Sequence, residues 1–105
     1  MNENTAQECL LYLVAPTEVE ATLVDWLIDS ELIKGFSSGS VSGHGSDYSA
    51  LSVAEQVEGR RWQTLYFIRL PQSSIDSVIN ALKKDLAHIG IEYWVVPILE
   101  FGKID

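Results

Sequence analysis

One cysteine, two histidines and seven basic residues among 105 leave this chain short of several kinds of chemistry. A lone cysteine, Cys9, cannot staple a fold, and Cys9, His44 and His88 are too scattered to form a metal-spacing motif. Fifteen acidic residues against seven basic ones give a formal net charge of −8. That balance argues against a nucleic-acid backbone as partner, because such binding relies on Lys and Arg to neutralise phosphates. No apolar run reaches the length of a membrane span or a signal-peptide core, so the cytoplasm is the expected compartment and membrane insertion is not expected. A nucleophile elbow, paired catalytic carboxylates and a phosphate-gripping glycine loop are also missing, and no enzyme is expected. What the chain does have is 47% hydrophobic residues and 10% aromatics. A disordered chain would be depleted in both, and the length suits a single domain over residues 1–105.

Residues 8–15 (ECLLYLVA) form a nearly continuous apolar run of strand length, the pattern of a central strand. Pro16 breaks it. Thr17 and Glu20 then have the spacing of a capping box, in which each side chain satisfies an orphan amide of the other's residue, so a helix is predicted to start there. Val19, Leu23, Trp26 and Leu27 line one stripe of that helix, which ends within residues 30–35. Residues 36–45 (FSSGSVSGHG) are rich in Ser and Gly and suit an exposed edge strand. Residues 46–59 show no clean period and read as a long loop. Strand chemistry returns over 60–70 (RRWQTLYFIRL), with Trp62, Thr64, Tyr66 and Ile68 on one face and Leu65 and Phe67 on the other. After Pro71, Ser73 or Ser74 can cap a second helix with the stripe Ile75, Val78, Ile79, Leu82 and Leu86, and Gly90 is placed to end it. The last strand, within 91–101 (IEYWVVPILEF), contains Pro97, which cannot donate a ladder hydrogen bond and so prefers an edge.

Residues 11–16 (LYLVAP) are echoed by residues 65–71 (LYFIRLP), and each copy precedes an amphipathic helix and then another strand. Two βαβ halves with right-handed crossovers give an α+β, ferredoxin-like βαββαβ fold. Its four-stranded antiparallel sheet has the strand order 4-1-3-2, with both helices on one face and the Pro97 and Ser/Gly-rich strands at the edges. Trp62, Tyr66, Trp94 and several Leu and Val residues exceed what one helical layer can bury, so self-association through the open face is expected.

With that order of elements, residues 40–45 (SVSGHG) look like the end of the second strand of a PII protein, where two glycines flank a bulky residue before the flexible T-loop. Residues 62–71 and 74–82 (SIDSVINAL), with their Pro-x-x-x-Ile-Asp entry, look like the PII third strand and the helix after it. The chain therefore resembles the PII-like signalling superfamily, and most closely a small PII-like family associated with heavy-metal efflux systems. The resemblance implies a homotrimer with ligand clefts between subunits and a T-loop, here residues 46–59, available to a partner protein. There are departures from it. Residues 86–90 (LAHIG) run straight into the last strand without the Gly-rich, Lys-bearing loop that grips ATP phosphates. Leu99, Glu100 and Phe101 stand where PII has basic residues, and Tyr48 lacks the surroundings of the tyrosine modified in enteric PII proteins. The ligand is thus left open between a nucleotide and a divalent metal, and no cofactor is assigned.

Gly43, His44 and Gly45 are candidate ligand-binding residues: glycines let backbone amides approach a ligand, and His44 can donate, accept or bind metal. The same glycines also suit a plain hinge where a strand enters a loop. Arg60 and Arg61 could meet a carboxylate or phosphate bidentately, or simply solvate a strand entrance. Asp47, Tyr48, Leu51, Val53 and Glu55 are the loop residues expected to face a partner. The leading expectation is a PII-like regulatory protein. The alternative is a metal-binding accessory protein of a cation efflux system, with His44 as a ligand.

Overall fold

The computed structural model describes residues 7–45, 52–58 and 60–105, with the backbone alone at 57 and 58. Strand β1 (Glu8–Pro16) leads through a 3₁₀ turn (Thr17–Val19) into helix α1 (Glu20–Asp29). Then follow β2 (Ser37–Gly43), the short helix α2 (Val53–Glu58), β3 (Arg61–Pro71), α3 (Gln72–Asp85) and β4 (Glu92–Pro97). The strands form one antiparallel sheet in the order β2-β3-β1-β4, the expected ferredoxin-like order read from the other edge. The two longest strands sit in the middle, where both neighbours complete their ladders. Pro97 and the Ser/Gly-rich strand lie at the edges, where unpaired backbone is tolerated.

Period-2 alternation divides the side chains of the central strands. Leu11, Leu13 and Ala15 of β1 and Tyr66, Ile68 and Leu70 of β3 point toward the helices. There they meet Leu23 and Leu27 of α1 and Val78, Ile79 and Leu82 of α3 in one buried core. Burying these side chains is the main stabilising contribution, roughly 1.5–3 kcal/mol for each large aliphatic one. Tyr66 is fully buried in this layer, which corrects the expectation that it belongs with the surplus aromatics of the open face. Cys9 is a buried free thiol.

Both helix starts depart from the expected caps. Thr17 is the first residue of the 3₁₀ turn rather than a flanking cap. The Glu20 amide donates to the Thr17 carbonyl, and no side-chain cap bond forms. At α3 the helix begins before either serine: Pro71 occupies the cap position and the Gln72 amide donates to the Gln7 carbonyl (2.8 Å). A main-chain acceptor from the strand preamble thus satisfies an orphan donor that a serine was expected to take. At the far ends of the two helices, Trp26 Nε1 donates to Asp85 Oδ2 (2.8 Å) and ties α1 to α3.

The stretch expected as loop contains α2, and its start was legible. Ser52 and Glu55 form a reciprocal capping box: the Glu55 amide donates to Ser52 Oγ (3.2 Å) and the Ser52 amide to Glu55 Oε1 (3.0 Å). Among the described residues no helix is long and apolar enough to cross a membrane.

Candidate functional site

The candidate site is the end of the β2–β3 ladder, where the two strands diverge into residues 46–59. The final pair of that ladder is Gly43 opposite Arg61. A Cβ on Gly43 would overlap the carboxamide of Gln63, which lies across the ladder on the same face, so a larger residue there would push that flexible side chain aside. His44 and Gly45 follow beyond the last pair, both exposed, and a Cβ on Gly45 would meet only open space.

On the other side, Arg60 lies over the Trp62 ring, with Cζ 4.3 Å from its centroid. Such a stack directs the guanidinium along the molecular surface. Glu55 is a correction to the expected partner-facing set. It is turned inward, 9% exposed. Its Oε1 accepts from the Ser52 amide, and its Oε2 accepts from the Trp62 amide (2.8 Å), which joins α2 to the start of β3. These backbone donors, Ser52 first and then Trp62, hold its carboxyl below the usual carboxylate range, and the charge of Arg61 acts in the same direction. The Arg60 amide donates to the Glu55 carbonyl (3.2 Å). Glu55 thus fixes the loop base, while Val53, 80% exposed, remains at the surface of α2. Asp47, Tyr48 and Leu51 lie outside the described residues.

The fold brings Gly43, Arg61 and Gln63 together, sets His44 and Gly45 just beyond them, and stacks Arg60 on Trp62. The ladder end thus carries two arginines and a histidine within a few residues of one another, groups whose chemistry suits an anion. Among the described residues no three His, Cys, Asp or Glu side chains gather where they could hold a metal ion. Glu55 was missed as a structural anchor although its signal, Ser-x-x-Glu, stands at residues 52–55. Trp62 was missed as a stacking partner although its spacing of two from Arg60 puts both side chains on one side of an extended chain.

A family model described as "Protein of unknown function (DUF3240)" matches residues 5–105. The chain belongs to the DUF3240 family. A crystal structure of a DUF3240 family protein from Shewanella baltica OS155 superposes on this DUF3240 chain with a TM-score of 0.76. The two are 27% identical, over 96% of this chain and all of that one. CPII, a nitrogen regulatory PII-like protein from Thiomonas intermedia K12 solved with ADP, AMP and bicarbonate, gives 0.67 at 14% identity, covering 93% and 97%. CutA1 from Oryza sativa gives 0.69 at 16%, covering 95% and 87%. A comparison with curated proteins gives no match. The likeness to CPII and CutA1 establishes that this family member has the fold of PII-like proteins.

Proposed function

We propose that this DUF3240 chain is a PII-like regulatory protein. It assembles as a homotrimer, takes a small anionic ligand between subunits beside Gly43, His44, Gly45, Arg60 and Arg61, and meets a partner protein through residues 46–59. The observation that carries this reading is the uncovered face of the sheet. Phe67, Tyr12 and Trp94 stand in one row across β3, β1 and β4, with Tyr12 5.5 Å from each ring. Phe67 and Trp94 remain 38% and 46% exposed. An aromatic row of this kind, flanked by Leu10, Val14, Leu65 and Val96, is suited to other copies of itself. The fold shared with CPII supports the ligand and the regulatory role.

Light scattering tests the assembly. The expected molar mass is three times the 11.7 kDa of the chain, falling to one in a Trp94→Glu variant that keeps its far-ultraviolet dichroism. A monomeric parent protein overturns the assembly and the cleft with it. A thermal-shift panel of ATP, ADP, AMP, bicarbonate, 2-oxoglutarate and divalent metals tests the ligand, since a molecule that binds only the native state raises Tm. The expected result is stabilisation by an anion of the panel that is lost in Arg61→Ala. A shift given only by copper, zinc, cobalt or nickel and lost in His44→Ala would replace this reading with a metal-binding accessory role in cation efflux.

A further inference from the structure

A second concavity lies on the helix side of the sheet, away from the aromatic row, and does not depend on the assembly proposed above. It is a cavity of about 350 Å³ between the last turns of α3, the turn that follows it and β4. Its wall is aliphatic: Leu13, Ile79, Leu82, Leu86 and Ile91. Lys83, His88 and Tyr93 are the side chains with polar ends at this cavity. The volume is within the range of small-ligand sites, which combine an apolar lining with a few placed polar groups.

Two features of the turn show that this opening is held in place. His88 adopts φ = +70°, in the left-handed region that favours glycine, although it carries a side chain. Gly90 has φ = +92°, and a Cβ there would press on the Pro16 ring at 3.2 Å. The turn is therefore seated against the end of β1, and His88 lines the cavity at a position where glycine would be the unstrained choice. In a chain of net charge −8, Lys83 and the adjacent Lys84 place two positive charges in the last turn of α3.

We propose that this cavity binds a monocarboxylate with an apolar body. The chain of the ligand would pack on the aliphatic wall, and its carboxylate would be met at the mouth by the Lys83 ammonium and a hydrogen bond from His88. Neither group alone selects this ligand. An apolar cavity would take any hydrocarbon, and a surface lysine any anion, so the combination is what specifies an amphipathic acid.

Octanoate and 1-octanol, matched in chain length, test this on the full chain through the methyl resonances of Leu82, Leu86 and Ile91. Octanoate is expected to shift them saturably, with Kd about tenfold lower than for octanol, as a hydrogen bond to a charged group implies. Lys83→Gln and His88→Gly should each bring octanoate toward the octanol value, while Ala87→Trp, at the cavity lining, should abolish both. Equal affinity for acid and alcohol overturns the carboxylate assignment. Absence of saturable shifts up to the solubility of octanoate, or shifts confined to the aromatic face, overturns the site.

Discussion

At the scale of single residues, two side chains carry unusual environments. Glu55 is ionised where three groups favour its charge, the amides of Ser52 and Trp62 and the cation of Arg61. Because its folded pKa lies below its ordinary value of 4.5, its contribution is complete above about pH 4.5 and disappears as the pH falls through the lower folded value. Hydrogen exchange of the Trp62 amide should therefore lose protection on acidification below that point. In Glu55→Gln protection should be weaker at neutral pH and insensitive to acid. Equal protection in both proteins would remove Glu55 as the anchor of the loop base. Tyr66 presents the opposite case. Burial, and then the charge of Glu20, pushes its phenol above the ordinary 10. Its hydroxyl lies buried near that of Thr64, and neither makes a well-formed hydrogen bond among the described residues. Ionising Tyr66 is thus easier in the unfolded chain, and stability should fall as the pH rises above about 10 toward the folded value. Tyr66→Phe should flatten that alkaline limb in denaturant titrations. At neutral pH the substitution should be neutral or stabilising by up to about 1 kcal/mol, because it deletes a polar group that gains nothing inside.

At the scale of elements, hydrophobic patterning located three strands and both long helices, and Ser/Gly composition the edge strand β2, while the caps followed another rule. Thr17 and Ser73 or Ser74 were legible as capping candidates, yet α3 is entered directly from the strand-ending Pro71 and α1 through the 3₁₀ turn that follows Pro16. The first turn of α3 instead borrows the Gln7 carbonyl, a partner 65 positions away that no local pattern reveals. The capping box that does form is at Ser52 and Glu55, within a stretch too short and too weakly patterned for periodicity to mark as helix. The two long helices are tied at their ends by the Trp26–Asp85 hydrogen bond. Trp26→Phe keeps the ring and loses the donor, and should cost about 1 kcal/mol in urea denaturation, less if the exposed carboxylate is resolvated by water. A loss above about 3 kcal/mol would mean that the ring packing, and not the bond, is what joins the helices.

At the scale of the whole molecule, a four-stranded sheet covered by helices on one side leaves its aromatic row Phe67, Tyr12 and Trp94 uncovered on the other. That surplus is visible in the composition, and the expectation of self-association rests on it. Its partition is not visible there, because Tyr66 and Phe67 are adjacent in sequence and opposite in fate. One is fully buried beneath the helices and the other 38% exposed on the open face. The strand order, the two βαβ halves and the edge position of Pro97 were determined by the sequence itself. Hydrophobic runs, turn residues and the handedness of crossovers leave few alternatives for so short a chain. The tertiary structure alone decided which atoms meet at the candidate sites. It set Gly43 against Gln63 and Arg61, turned Glu55 inward to the Trp62 amide, and shaped a cavity between α3 and β4 that His88 lines. Each of these joins groups separated along the chain, and a contact of that kind is fixed by packing and register rather than by any local pattern of residues.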